Sequence, residues 1–125
     1  MIENSKMYNL EARTLEFARE IIRLCKVIPP NTINFKIIDQ IVRSGSSVGA
    51  NYREANETET KKDFHFRIRI CRKEAKETYY WLQLMIEANS NFKDRIEVLM
   101  RETGELIKIF AAIALKVKVN SRLEN

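Results

Sequence analysis

The sequence predicts an all-α fold, an up-down-up-down antiparallel four-helix bundle. Three observations carry that expectation. Apolar residues recur three and four apart in four long segments, the spacing of one face of a helix. The 125 residues include only three Gly and two Pro, too few for the many turns of a sandwich or barrel. Hydrophobic residues make up 45% of the chain and charged residues 31%, which suits helices with one buried and one solvated face. A chain of this length is expected to fold as a single domain over residues 1–125, with its own core.

The first helix, expected over about residues 9–28, carries Leu10, Thr14, Phe17, Ile21, Leu24 and Ile28 along its seam. Pro29 and Pro30 end it, because proline cannot continue a helix and biases the residue before it away from helical geometry. The second, about residues 33–57, carries Ile38, Ile41, Gly45, Val48, Tyr52 and Ala55. The third, about residues 61–88, carries Phe64, Ile68, Cys71, Ala75, Thr78, Leu82 and Met85. The stretch "ANSN", Ala88 to Asn91, breaks it and offers an Asn to cap the next helix. The fourth, about residues 92–119, carries Phe92, Ile96, Leu99, Thr103, Leu106, Phe110, Ile113 and Val117. Such sustained spacing is the seam of helices packed at a shallow angle. Short links make consecutive helices antiparallel neighbours.

"VRSGSSVGANYRE", Val42 to Glu54, resembles a phosphate-cradling loop at first sight. A P-loop, however, needs a preceding strand and a closing Gly-Lys-Ser/Thr, and neither is present. Gly45 and Val48 stay in phase with Ile38, Ile41 and Tyr52, so the stretch reads as helix interior. Gly45 and Gly49 lie one turn apart and would let a neighbouring helix approach closely. Each glycine costs ~1 kcal/mol of helix propensity, which close packing would offset. Alanine at 45 is expected to fit and leucine to disrupt. Backbone contact with phosphate is the alternative reading.

The third helix has three faces. With about 100° per residue, a second apolar stripe of Phe66, Ile70, Trp81, Leu84 and Ala88 lies ~130° from the core. The fourth helix repeats this with Met100, Ile107, Ala111 and Ala114. Exposed stripes of that kind mark interfaces, so self-association is expected; a broad core stripe is the plainer alternative. The remaining face is basic. Lys62, His65, Arg69, Arg72 and Lys76 are spaced three, four, three, four, with Lys61 and Lys73 flanking. Asp63 with Arg67, and Lys73 with Glu77, are expected to offset some of the like-charge repulsion. A basic row of this kind can match phosphates of RNA or DNA, with Tyr79 and Tyr80 placed to stack on bases. A solvated charged face is the alternative. Arg43 on the second helix is a further candidate contact.

No catalytic, cofactor or metal site is expected. The single His65 has no evident carboxylate partner. Cys25 and Cys71 are far apart, and with one histidine they cannot complete a zinc site. The first ten residues, "MIENSKMYNL", lack the apolar core of a signal peptide. No apolar run approaches the ~18 residues that span a bilayer. A cytoplasmic protein without a membrane contact is expected, and the net charge of +5 suits a polyanionic partner.

"DQIVRSGSSVGANYREAN" followed by "KKDFHFRIRICRKEAKETYYWLQLM" resembles the bacterial four-helix-bundle proteins called 23S ribosomal RNA intervening-sequence proteins. Gln40, Arg43, Ser44, Ser47, Gly49-Ala50-Asn51, Glu54 and Asp63-Phe64 carry the resemblance, with Lys73 to Leu82 matching one branch. Where many members have a glycine after the residue matching Glu54, this chain has Ala55, so the turn ending the second helix is expected to differ. The family is similar to the accessory variability protein of diversity-generating retroelements, a pentameric, nucleic-acid-binding partner of a reverse transcriptase. The resemblance therefore implies a homopentameric ring and RNA or DNA bound through phosphates. The expected function is a non-catalytic, nucleic-acid-binding, RNA-associated oligomer. The alternative is a protein-interaction scaffold, such as an accessory subunit of a reverse transcriptase.

Overall fold

A computed structural model describes residues 9–124, with side chains through Lys118. Most of the stretch read above for a signal peptide therefore lies outside the described residues. Four helices account for almost everything described: α1 (Leu10–Val27), α2 (Thr32–Asn56), α3 (Lys61–Ala88) and α4 (Lys93–Glu124). A single 3-10 turn, Ser90–Phe92, precedes α4, and no strand occurs among the described residues. No described helix is long and apolar enough to cross a membrane.

Local chemistry sets the boundaries. Ile28, before Pro29, is extended at φ −73° and ψ 132°, as the proline ring requires. Asn31 caps α2, its side chain accepting from the Asn34 backbone N–H at 2.8 Å. Thr60 caps α3 in the same way, accepting from the Asp63 N–H at 3.1 Å. Each cap satisfies an amide that a helix start leaves free. At the other end of α2 the helix passes through buried Ala55, and the Glu57 N–H closes it on the carbonyls of Glu54 and Ala55. The "ANSN" break behaves differently from expectation. Asn89 makes no side-chain cap, because its amide is buried and engaged across the bundle with Asn34.

The helices run antiparallel in sequence order, as three sets of positions show. Gly49 and Gly45 of α2 meet Thr14 and Ile21 of α1. Asn34, Ser44 and Asn51 of α2 bond Asn89, just past the end of α3, and Thr78 and Arg67 within it. Between α3 and α4, Phe64 shares a cleft with Val117 and Tyr79 shares one with Gly104. One contiguous core results, centred on Phe17, Ile21, Ile41, Ile68, Leu82, Ile96, Leu106 and Phe110. The Tyr52 ring tilts against Phe110 at 5.9 Å, joining α2 to α4 across the bundle.

The seam of α2 is rotated slightly from the expected one. Ile37, 7% exposed, is the core residue, and Ile38 packs at the edge. The reason is polar. Asn34 and Ser44 also face inward, where Ser44 accepts a 2.8 Å bond from the Thr78 hydroxyl. The face centred on Asn34, Ile37, Ile41, Ser44 and Val48 is the buried one.

The two glycines settle the reading of the "SGSSVGAN" stretch: it is helical throughout and packs on α1. A Cβ at Gly49 would stand 2.9 Å from Thr14 Oγ1 and 3.4 Å from the Thr14 backbone carbon. A Cβ at Gly45 would meet the Ile21 Cδ1 methyl at 2.1 Å. Farther round the bundle, Arg13 clamps Glu102 of α4 with two bonds, Nε to Oε2 at 2.8 Å and Nη2 to Oε1 at 2.7 Å. That bidentate pairing raises the pKa of the Arg13 guanidinium, chiefly through the bond to Glu102.

Candidate nucleic-acid interface

The basic row of α3 is built as a surface. Lys62, Arg69, Arg72, Lys73 and Lys76 are exposed, and His65 is half-buried. Among the described residues, Lys62, Arg69, Arg72 and Lys76 make no ion pair or hydrogen bond. Their charge therefore faces solvent uncompensated by a close carboxylate. Lys73 stands near Glu74, where burial raises the carboxyl pKa and the Lys73 charge weakly opposes that rise.

Five of the row's members share one groove, of about 1030 Å³. His65, Arg69, Arg72, Lys73 and Lys76 line it together with Phe66 and Ile70 of α3. Ala111, Ala114, Leu115 and Lys118 contribute from α4. No acid is among the described lining side chains. Lys62 lies one turn before this groove and outside it. Ala111 and Ala114 belong to the second apolar stripe expected of α4, but their meeting with the basic row, and the part of Leu115 and Lys118, was not read from the sequence. These small alanines fit the helical spacing of a packed stripe, and nothing local says which neighbour they face.

Arg43 sits elsewhere and in another electrostatic setting. Its Nη1 donates to Glu74 Oε2 at 3.3 Å, its Nη2 donates to Glu77 Oε1, and it also reaches Gln40. Two carboxylates meet one guanidinium here. Burial, and then the hydrogen bond with Glu77, raise the Glu74 pKa, while Arg43 opposes the shift. The pairs expected on α3 itself are replaced by bonds to α2. Arg67 donates to Asn51 at 3.1 Å instead of pairing with Asp63, and Glu77 faces Arg43 instead of Lys73. Inter-helix partners win because each side chain lies at the α2–α3 contact.

This ion cluster also divides the second apolar stripe. Phe66, 58% exposed, and half-buried Ile70 belong to the groove. Trp81 and Leu84, beyond Glu74 and Glu77, are half-buried against the core. The Trp81 ring meets Tyr80 edge-on at 5.5 Å, and its indole N–H points at Glu77 Oε1 at 3.5 Å. Ala88 is exposed. The α4 counterpart divides similarly, with Met100 and Ile107 lining a separate cleft beside Tyr79. Tyr79 is half-buried there, whereas Tyr80 is 55% exposed.

The cysteines are free thiols in the bundle. Burial pushes Cys25 up to about 11 and Cys71 up to about 12. Neither is poised as a nucleophile, which requires a lowered thiol pKa.

Residues 6–112 match the family model described as 23S rRNA-intervening sequence protein. Among solved structures, the chain is similar to a Bacteroides thetaiotaomicron protein of unknown function from the S23 ribosomal protein family. The two share 36% identity with a TM-score of 0.76, over 83% of this chain and 96% of the other. No curated protein matches.

Proposed function

The chain belongs to the 23S rRNA-intervening sequence protein family, and from that premise we propose that it binds nucleic acid without catalysing a reaction. The observation that carries the reading is the run of Arg69, Arg72, Lys73 and Lys76 lining one groove with no acid among its described lining residues. Such an arrangement draws phosphates without reading base edges. The bound species is RNA or DNA, and discrimination between sequences is weak.

The same chain self-associates into a ring, with five copies as the proposed number. Trp81, Leu84 and their exposed neighbour Tyr80 supply an apolar surface beyond the core. Light scattering at micromolar concentration reads the mass directly, and a monomer would refute the ring.

Nucleic-acid binding is tested by fluorescence anisotropy of a labelled structured RNA and a labelled DNA duplex across a salt series. Affinity for the duplex should fall by about 0.9 log units per tenfold salt for each phosphate neutralised. Absence of binding to either probe at low salt would sink the reading and favour a scaffold that contacts proteins instead.

A further inference from the structure

The groove between α3 and α4 has two kinds of lining, and the pair of them selects a ligand. Part of the lining is cationic: Arg69, Arg72, Lys73, Lys76 and Lys118. Apart from His65 the rest of the lining is apolar, and two of its members stand open to solvent, Phe66 at 58% and Leu115 at 64% exposed. We propose that this groove takes an unpaired stretch of nucleic acid, with phosphates on the cations and a base on the exposed Phe66 ring. The inference rests on the nucleic-acid-binding reading above and narrows it from polyanions in general to single strands.

The argument is one of complementarity. A duplex offers the cations its phosphates, but its bases are stacked inside and give the exposed apolar side chains nothing to cover them. Apolar side chains would then stay against water or be pressed against charged oxygens, which they do not stabilise. A single strand exposes both parts together. Its phosphates meet the cations, while any base presents a face to an aromatic ring regardless of sequence. From Arg69 to Lys76 the row advances about 10 Å along α3, at ~1.5 Å per residue. Phe66 lies about one turn before Arg69, beyond the last of the α3 arginines and lysines that line the groove, where a base leaving the phosphate track can turn onto its ring.

Three probes separate the possibilities. The first is an oligothymidylate of about 12 nucleotides, within the range of single-strand site sizes. The second is a duplex with the same number of phosphates. The third is an abasic strand of that length. The parent chain is expected to bind the oligothymidylate more tightly than either of the others. Phe66→Ala should weaken oligothymidylate binding roughly tenfold, the typical loss of one stacked base, and weaken duplex binding far less. Phe66→Tyr, which keeps a ring, should restore the affinity.

Phe66 is exposed, so Phe66→Ala should keep the parent helix content and the parent mass by light scattering. A lower mass would assign Phe66 to a contact between copies and overturn the inference. Equal binding of all three probes, unmoved by Phe66→Ala, would overturn it while leaving phosphate binding intact. Failure of the duplex as well as the single strand at low salt would instead remove the broader reading. Displacement of oligothymidylate by phosphatidylserine vesicles, abolished by Phe66→Ala, would give the groove to a lipid surface.

Discussion

Asn34 and Asn89 face each other as a reciprocal amide pair, each Nδ2 donating to the other's Oδ1 at 2.9 Å. Both are buried. Asn34 donates also to the Pro29 carbonyl at 2.8 Å, and Asn89 to that of Met85 at 3.0 Å. The pair thus ties the proline link after α1 to the break after α3, at one end of the bundle. No described buried side-chain polar atom is left without a partner, and these two amides account for four of the bonds that achieve it.

Asn34→Ala should therefore destabilise the bundle by about 1–3 kcal/mol, since it strands the buried Asn89 amide. Asn89→Ala should cost a similar amount. The double variant should cost less than the two singles together, because neither amide is then left facing a missing partner. Urea unfolding of the three variants measures this. Additive losses would mean that the two amides act independently.

The three glycines should respond to alanine in different directions. At Gly104 no atom lies within 4 Å of an added Cβ, so alanine should gain up to about 1 kcal/mol of helix propensity. At Gly45 the obstacle is the terminal methyl of Ile21. That methyl can rotate aside, and the variant should fall near neutral. At Gly49 the obstacles include Thr14 Cβ at 3.1 Å and its backbone carbon. The Thr14 hydroxyl is itself held by the Leu10 carbonyl at 2.6 Å. Overpacking of about 1–3 kcal/mol should there exceed the propensity gain. Equal melting temperatures for Gly49→Ala and Gly104→Ala would refute close approach as the reason for Gly49.

These cases show what the sequence reveals and what it hides. The three-four spacing made the helices legible, because Leu10, Phe17, Ile21 and Leu24 repeat with the pitch of the helix itself. Gly45 and Gly49 were legible for the same reason, being in phase with Val48 and Ile41. The basic row was legible because its spacing is local to α3. Bonds between helices were not. Asn34 with Asn89, Arg13 with Glu102 and Arg43 with Glu77 join residues 55, 89 and 34 apart, and their meeting depends on the register between helices. The groove was half legible: its cations announce themselves, while Leu115 and Lys118 come from α4 at a register that only packing decides.

Glu74 and Glu77 should differ on neutralisation. The folded-state pKa of Glu74 is raised, first by burial, so ionising it opposes folding. Any stability linked to this shift is fully present below the ordinary carboxylate range and lost as pH rises through the raised value. At neutral pH, Glu74→Gln should leave the melting temperature unchanged or higher. Glu77→Gln keeps an acceptor oxygen but removes the negative charge that faces Arg43 and the Trp81 indole, so it should lower the melting temperature. The reverse order would show that Glu74 is the main anchor of Arg43.

Both thiols should resist alkylation in the folded chain. A rise from 9.0 to about 11 for Cys25 cuts the thiolate fraction about 100-fold, and the rise for Cys71 to about 12 cuts it further. Iodoacetamide at pH 8 should modify Cys25 slowly and Cys71 more slowly still, and both rapidly in urea. A native Cys71 that reacts at its urea rate would mean that the core opens on the timescale of the reaction.

Arg43 and the row residues carry the same charge, yet their variants should fail in opposite assays. Arg69, Arg72 and Lys76 touch no carboxylate among the described residues, so their cost of replacement is small. Changing all three to Gln keeps good helix formers in place and should leave the melting temperature within a few degrees of the parent. Duplex affinity should fall, and the slope of log affinity against log salt should become shallower by up to about 0.9 for each phosphate no longer neutralised. Arg43→Gln should do the converse. It leaves Glu74 and Glu77 facing each other without their shared cation, so the melting temperature should drop while the salt slope stays at the parent value. Measuring unfolding and binding on both variants separates a phosphate-binding cation from a structural ion pair. A shallower slope for Arg43→Gln at parent mass and helix content would place Arg43 in the interface after all. A triple variant that binds as the parent does would reduce the row to a solvated face.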